Sequence, residues 1–174
     1  MRKIAITIIV AQTLAISALG QEGKPAPQQT TSTDRSCRSF VQHFYNWYVP
    51  LALSDKVLRA WDVAVRNKPQ TFTPQLAQLI RRDTEAQRKA SEIVGLDFDP
   101  FLNSQDPSER FVVESVVMKG AGCWVKVRGI SKRQAQETVV PEVACTNGRC
   151  QFVNFHYEYD GHPTDLLTIL KTPG

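Results

Sequence analysis

The spacing of the apolar residues changes from a helical period to a strand period near Pro107, and this change constrains the fold more than any other feature. Before Pro107, apolar residues recur every three to four positions along several stretches, as they do in amphipathic helices. After it they alternate, with Cys123, Val125 and Val127 on one face of a stretch and polar or aromatic residues on the other. Helices followed by hairpin-connected strands predict an α+β fold rather than a parallel α/β fold.

The first predicted helix begins at Thr33 or Asp34, because either side chain can cap a helix N-terminus. Pro50 predicts that this helix stops just before it, because the residue preceding a proline avoids the helical conformation. The apolar stripe of the helix comprises Cys37, Phe40, Val41, Phe44, Trp47, Tyr48 and Leu51.

Two further helices are predicted before the period changes. The second starts at Ser54 or Asp55. The third starts at Thr73, followed by Pro74, whose missing N–H costs nothing at the first helical position. Gly95 is placed to end the third helix in the left-handed conformation. The predicted inward residues are Val57, Leu58, Trp61 and Val65 in the second helix and Leu76, Leu79, Ile80, Ala86, Ala90 and Ile93 in the third.

The second half of the chain predicts strands and one short helix. The strands are expected at residues 110–119, 123–128, 136–145 and 149–159, and the helix at residues 165–171. Pro141 indicates an edge strand or a bulge, because proline has no N–H to donate within a sheet. Gly161 and Pro163 are expected to break the last strand.

These elements predict a curved antiparallel sheet of about four strands, packed on one face by three N-terminal helices, with a short C-terminal helix. A strongly curved sheet of this kind leaves a cone-shaped cavity between itself and the helices. The open end of such a cavity is the default place for a ligand.

The N-terminal residues predict export from the cytoplasm. A short basic start and a mostly apolar stretch end in Ala18 and Gly20, as in a secretory signal cut before Gln21. The apolar stretch is shorter than the roughly 20 residues that a membrane-spanning helix needs. We therefore expect a signal peptide at 1–20, a flexible linker at 21–33 and a single domain at 34–172. The mature chain would have no transmembrane segment and would reside in the periplasm or be secreted.

The charge of the mature chain does not indicate a nucleic-acid partner. Two of the 21 Lys and Arg lie in the predicted signal, which leaves 19 against 17 Asp and Glu. A charge-driven nucleic-acid site needs a marked excess of positive charge, because phosphate contacts supply most of the affinity.

The four cysteines predict disulfides, because an even number in an exported chain favours pairing. Cys145 and Cys150 flank an Asn-Gly pair, which is typical of a two-residue hairpin turn, so they are predicted to lie opposite each other and to pair. Cys37 and Cys123 are then left to pair with each other. A zinc site is disfavoured because the chain has no CxxC motif and its three histidines are scattered. We expect no metal and no cofactor.

Three segments resemble a family of exported bacterial proteins, the domain of unknown function 3828. They are FYNWY at 44–48, GLDFDPFLNSQD at 95–106 and NFHY at 154–157. The family is similar to the nuclear transport factor 2-like superfamily of cone-shaped α+β folds. The resemblance therefore implies the same fold, but little about activity, because that superfamily includes isomerases, dehydratases, immunity proteins and binding modules.

The chemistry-bearing residues of these segments are the candidate site. They are Tyr45, Tyr48, Asp97, Asp99, Gln105, Asp106 and His156. The aspartates could act as acid and base or hold a cation, but the Asp99-Pro100 pair more simply predicts a capped turn. Tyr48 is expected to pack in the core, and Tyr45 to line the cavity or the surface. A catalytic pair of His156 with Asp97 or Asp99 is conceivable, although nothing in their spacing brings them together.

The preferred hypothesis is an exported, non-enzymatic binding module for a small ligand or an envelope protein. One alternative is a cone-fold enzyme of the isomerase or hydrolase type that uses Asp or His in its cavity. Another is a periplasmic immunity protein that neutralises a delivered toxin.

Overall fold

The part of the chain that the structure describes folds into four α-helices and a five-stranded antiparallel sheet. The computed structural model describes residues 32–92, 94–131, 137–159 and 161–172. The predicted signal peptide and most of the predicted linker lie outside these residues. The elements are α1 (Ser32–Ala52), α2 (Ala60–Asn67), α3 (Pro74–Lys89), β1 (Arg110–Lys119), β2 (Gly122–Ile130), β3 (Thr138–Thr146), β4 (Arg149–Tyr159), β5 (His162–Asp165) and α4 (Leu166–Lys171).

The strands follow one another across the sheet in chain order, and each is antiparallel to its neighbour. This confirms the α+β class, but the expected strand count was wrong because the chain turns back at Gly161 and adds β5 to the edge. Gly161 has φ +76°, which glycine adopts readily. Pro163 is tolerated on β5 because an edge strand has a free side that needs no N–H donor.

Helix α1 continues through Pro50 to Ala52, so the predicted end before Pro50 was wrong. The proline removes a single backbone hydrogen bond in the last turn, and its ring is exposed. The neighbouring Val49 is buried, and its carbonyl accepts a hydrogen bond from Leu53 N at 3.0 Å. Packing therefore holds the last turn in place despite the missing donor.

The segment before α2 is a turn rather than the predicted first turn of a helix. Ser54 O accepts from Val57 N at 3.0 Å, and Arg59 adopts a left-handed conformation with φ 59° directly before α2. This backbone turns Leu58 outward, so that 81 % of its surface is exposed. The predicted inward position of Leu58 was therefore wrong, whereas Val65 is buried as expected.

Helix α3 begins at Pro74 after Thr73, as predicted, but it ends at Lys89, well before Gly95. Ala86, expected in the buried face, is exposed, and Ile93 lies outside the described residues. Gly95 instead forms part of the following loop with φ +71°, at a point where a Cβ would collide with the Asp83 carboxylate. A glycine is required there because of the loop's close approach to α3 and not because of a helix cap.

Pro141 lies on β3, in the middle of the sheet, so the edge alternative was wrong. The bulge alternative is close to the observed geometry. The β3–β4 register shifts between Glu142 and Val143, and the regular β2–β3 pairing is interrupted between Glu142 and Val139. The sheet thus accommodates the missing N–H through local irregularity.

Aromatic rings fill the space between α1 and the sheet, where a cone-shaped cavity was expected. The packed rings are those of Phe44, Phe72, Phe101, Phe152 and Phe155, with neighbouring centroids 4.8 to 5.9 Å apart. All five side chains are buried. The cavity prediction was wrong because the volume of these rings closes the interior, giving the tight packing of an ordinary core.

Two disulfides are present. Cys37–Cys123 ties α1 to β2, and Cys145–Cys150 joins β3 to β4 across their hairpin. Asn147 and Gly148 have φ values of 51° and 76°, as the central residues of a type I′ turn require. Disulfides of this kind persist in oxidising compartments and fit an exported protein. Within the described ranges, no helix is long and apolar enough to cross a membrane.

Candidate functional site

Three buried tyrosines hold the loop that carries the DFDPFL motif. Tyr45 Oη donates to Phe101 O at 2.8 Å, and Tyr157 Oη donates to Pro100 O at 2.6 Å. Tyr48 Oη donates to the Asp99 carboxylate at 2.6 Å. Tyr45 and Tyr48 lie on α1 and Tyr157 on β4, so the loop is anchored to both layers of the fold. Tyr45 is fully buried rather than lining a cavity.

Asp99 ties down the turn that follows it. Its Oδ1 accepts from the amides of Phe101 and Leu102 at 2.9 and 3.2 Å, as a helix-capping aspartate does. Burial raises the pKa of the Asp99 carboxyl from 3.8 to about 6, while the hydrogen bonds from Tyr48 and the two amides act in the opposite direction. Both carboxylate oxygens are engaged, so the arrangement serves to fix the loop.

The same environment keeps the tyrosines protonated. Burial is the main cause that raises the pKa of Tyr45 and Tyr48 well above 10, and the nearby Asp99 charge adds to it. Both side chains therefore act as hydrogen-bond donors throughout the physiological pH range. Their role is to position the loop.

A cleft of about 550 Å³ lies between this loop and the segment that precedes α2. We call it the loop cleft. Its lining residues are Ala52, Val57, Leu58, Arg59, Ala60, Trp61, Gln87, Leu96, Asp97, Phe98, Asp99, Ser104, Gln105 and Pro107. Eight of these fourteen residues are apolar and six are polar or charged, so the lining is mixed. The exposed Leu58 is part of the lining.

Gln87 on α3 joins the two walls of the loop cleft. Its Oε1 accepts from Arg59 Nε at 2.7 Å, and its Nε2 donates to Leu96 O at 3.0 Å and to Asp83 at 2.7 Å. Since Arg59 is the residue in the left-handed conformation, this contact helps to fix the turn that exposes Leu58. These hydrogen bonds therefore hold the two walls of the loop cleft relative to each other.

Trp61 also lines the loop cleft. Its indole Nε1 is buried and has no hydrogen-bond acceptor among the residues that the structure describes. Leaving a buried donor unsatisfied costs about 1–3 kcal/mol. The unpaired indole N–H therefore lowers the stability of this wall of the cleft.

The remaining acidic candidates lie at the surface of the same loop. Asp97 is exposed, and its carboxylate accepts from Gln105 Nε2 at 3.4 Å. Asp106 is also exposed, and its amide donates to Ser104 Oγ at 3.2 Å. The structure thus brings Asp97, Asp99 and Gln105 together in the loop cleft, with Asp99 buried beneath the other two.

His156 lies on the other face of the sheet. Phe155 and Tyr157 are buried against Phe101 and Phe98 of the loop, so the alternation of β4 directs His156 to the opposite face. Its Nε2 is 3.0 Å from a Glu142 carboxylate oxygen, and its ring stacks on Trp124 at 3.9 Å between centroids. The conceivable pair of His156 with Asp97 or Asp99 is therefore not assembled. No group of three or more potential metal ligands occurs within the described part of the chain.

Several residues that build this region were not identified from the sequence. Glu137 accepts hydrogen bonds from Ser104 Oγ and from the amide and hydroxyl of Ser108, and so holds the far end of the loop. Tyr157 and Arg59 act through contacts with residues distant in sequence. Alternation along β4 assigns Tyr157 to the buried face, but no local pattern indicates the partners of Glu137 or Arg59.

A larger groove, of about 900 Å³, lies between α3 and α4. Arg82 crosses it to donate to Leu170 O at 2.6 Å, which ties the two helices together. The groove borders Val94 and Thr172, which adjoin residues outside the described ranges. We therefore take the smaller loop cleft, none of whose lining residues adjoins an undescribed residue, as the candidate site.

No protein-family model and no curated protein matches the chain. The resemblance to the 3828 family and the nuclear transport factor 2-like superfamily therefore stays a prediction. Among solved structures, one chain of the type VI effector–immunity complex Tae3–Tai3 from Ralstonia pickettii superposes with a TM-score of 0.51 at 16 % identity, over 71 % of this chain and 98 % of that chain. A protein of unknown function from Bacteroides thetaiotaomicron gives a TM-score of 0.49 at 18 % identity, over 70 % and 89 % of the two chains. At these identities the likeness to the complex shows a related fold and nothing about activity.

Proposed function

We propose that this chain is an exported, non-enzymatic module that binds a protein partner at the loop cleft. The observation that carries the proposal is Leu58, a large apolar side chain that is 81 % exposed at a cleft lined by both apolar and polar residues. An exposed leucine alone is unremarkable in a soluble protein. A leucine that a fixed turn holds outward at a cleft with further apolar residues and a polar rim is typical of an interaction site.

The energetics favour a protein rather than a small ligand. In the described part of the chain, the interior between α1 and the sheet is packed with aromatic rings and leaves no enclosed cavity there, whereas the loop cleft is open to solvent. Covering a leucine side chain contributes about 1.5–3 kcal/mol to association. Because the tyrosines and Gln87 already order both walls, little further conformational entropy is lost on binding.

The polar rim of the cleft would select the partner. Arg59, Asp97 and Gln105 stand among the apolar residues and offer donors and acceptors of both signs. A protein partner would match this pattern, because its main chain and polar side chains can bond to the rim while one of its apolar side chains packs against Leu58. Bulk charge would contribute little.

Site-specific photo-crosslinking tests this proposal in cells. A benzophenone amino acid replaces Leu58 in one variant and Val117, an exposed residue on the outer face of the sheet, in a matched control. We expect a discrete crosslinked protein from position 58 only. Excess unlabelled wild-type chain should suppress the product, and excess Leu58→Asp chain should not. Equal products from both positions, or suppression by both competitors, would contradict the proposal.

A specific form of this function is immunity against a delivered toxin. The observation favouring it is the shared fold with a chain of an effector–immunity complex, which is an assembly of two proteins. The test expresses the product of a neighbouring toxin-like gene in the periplasm together with the wild-type chain or its Leu58→Asp variant. Protection by the wild type alone supports immunity, and growth arrest with both chains contradicts it.

The exported location also belongs to this proposal. It is supported by the N-terminal sequence pattern and by the two disulfides. The envelope would then supply the partner.

A further inference from the structure

The two disulfides touch each other. We call Cys37–Cys123 the inner bridge and Cys145–Cys150 the outer bridge. Cys37 Sγ lies 3.6 Å from Cys145 Sγ. Neither sulfur carries a proton while the bridges are intact, so this is a sulfur–sulfur contact rather than a hydrogen bond. Four elements meet at this point, because the cysteines lie on α1, β2, β3 and β4.

The two bridges differ in their access to solvent. Cys37 and Cys123 are buried, with 0 % and 1 % of their surface exposed. Cys145 and Cys150 are partly exposed, and the hairpin turn between them is exposed. An external dithiol can therefore reach the outer bridge but not the inner one.

We propose that the inner bridge exchanges with the outer cysteines through Cys145. An external dithiol first reduces the Cys145–Cys150 bridge and is itself oxidised to a disulfide. The Cys145 thiolate then attacks Cys37 Sγ. A Cys37–Cys145 bond forms, the Cys37–Cys123 bond breaks, and the electron pair leaves with Cys123 as a thiolate that takes up a proton from solvent. Only the first step transfers electrons, and the exchange itself is redox-neutral.

The chain topology permits this exchange at little entropic cost. The present inner bridge joins residues 86 positions apart, and the exchanged bridge would join residues 108 positions apart. Loop-closure entropy depends only on the logarithm of length, so the two loops are nearly equivalent. The equilibrium between the Cys37–Cys123 and Cys37–Cys145 bonds then depends on the packing around Cys123, whose sulfur contacts Met118 Sδ at 3.6 Å.

After the two-electron reduction of the outer bridge, one disulfide still links α1 to the sheet. Either bridge arrangement ties α1 to the sheet, through β2 or through β3. Oxidation or reduction of the buried cysteines would pass through the accessible Cys145.

Two single substitutions form a matched pair that tests the exchange. Cys150→Ser leaves the Cys145 thiol against Cys37, whereas Cys145→Ser leaves only the Cys150 thiol. Each full-length variant is held at mildly alkaline pH, quenched in acid, unfolded, labelled with N-ethylmaleimide and mapped by mass spectrometry. We expect Cys150→Ser to give a Cys37–Cys145 peptide and labelled Cys123 in at least about a tenth of the molecules. Cys145→Ser should carry the label on Cys150 alone.

The proposal would be overturned if each variant were labelled only on the cysteine that the substitution leaves unpaired, which is Cys145 in Cys150→Ser and Cys150 in Cys145→Ser. Near-UV circular dichroism checks that each variant is folded. If either is not, the wild-type chain is reduced for increasing times with dithiothreitol. A species with one remaining disulfide, between Cys37 and Cys145, supports exchange. If every species with one remaining disulfide keeps Cys37–Cys123, with Cys145 and Cys150 both labelled at every time, the proposal is refuted.

Discussion

Replacing Asp99 by Asn should change how stability depends on pH. Asn keeps the shape of the side chain, and its Oδ1 can still accept from the amides of Phe101 and Leu102. Its Nδ2 can donate to Tyr48 Oη, so the hydrogen bond in the turn is kept with its direction reversed. The Tyr48 hydroxyl proton then loses its acceptor, which lowers the stability by an amount that does not depend on pH. The pH-dependent change is the loss of a buried group that titrates.

The magnitude follows from the raised pKa of Asp99. Folding raises this pKa from 3.8 to about 6, so between these values the folded state binds more protons than the unfolded chain. The free energy of unfolding therefore falls as the pH rises through this window and is constant with respect to Asp99 above it. The interval corresponds to about 3 kcal/mol.

The assay is urea unfolding of the wild type and Asp99→Asn at pH values from about 3.5 to 8. The stability of the wild type relative to Asp99→Asn should decrease by about 3 kcal/mol from the acid to the alkaline end. Asp97→Asn is the control, because it removes the same charge from an exposed side chain of the same loop and should retain the Asp99 step. Parallel pH curves for the wild type and Asp99→Asn would refute the assignment of a buried, titrating Asp99.

Three further predictions concern the scaffold and the export of the chain. Gly95→Ala should lower the free energy of unfolding by more than about 1 kcal/mol in thermal or urea denaturation, because φ is +71° and a Cβ would meet Asp83; unchanged stability would contradict the close approach. Replacing both cysteines of a pair by serine should lower the free energy of unfolding by about 4–5 kcal/mol for Cys37–Cys123, with a sequence separation of 86, and by about 2 kcal/mol for Cys145–Cys150, with a separation of 5. A larger loss for Cys145–Cys150 in urea denaturation would show that loop closure is not the main contribution. N-terminal sequencing of the mature protein from the periplasm should begin at Gln21, and a retained Met1 would contradict signal cleavage.

Local patterns predicted the elements whose stability is decided locally. The Asn-Gly turn placed Cys145 opposite Cys150, and the Thr73-Pro74 pair placed the start of α3. The segment before α2 was mispredicted because Ser54 resembles a helix cap in sequence. Its actual conformation depends on Arg59, whose partner Gln87 lies 28 residues away.

The predictions of four strands and of a cavity were also wrong because both features depend on contacts between distant parts of the chain. Gly161 and Pro163 read locally as the end of a strand, whereas the pairing of β5 with β4 is decided by the sheet. Whether a curved sheet encloses a cavity depends on how the side chains meet. Here Phe101 and Phe155, from distant parts of the chain, fill that volume together with their neighbours.

The candidate site was predictable in part. The Asp99-Pro100 pair indicated a capped turn, and the structure shows the two capping hydrogen bonds. The anchoring donors could not be predicted, because Tyr48 is 51 residues away from its acceptor. The outward direction of His156 was available from alternation with its neighbours on β4, which separates it from the aspartates.

The affinity of the crosslinked partner for wild-type, Leu58→Ala and Val117→Ala chains tests the central claim most directly. Leu58 contributes by losing its solvent exposure, so isothermal titration calorimetry should show binding weakened about 10- to 100-fold in Leu58→Ala. Binding by Val117→Ala should match the wild type, and both variants should unfold at the same urea concentration as the wild type. Wild-type affinity in Leu58→Ala would contradict docking at the loop cleft.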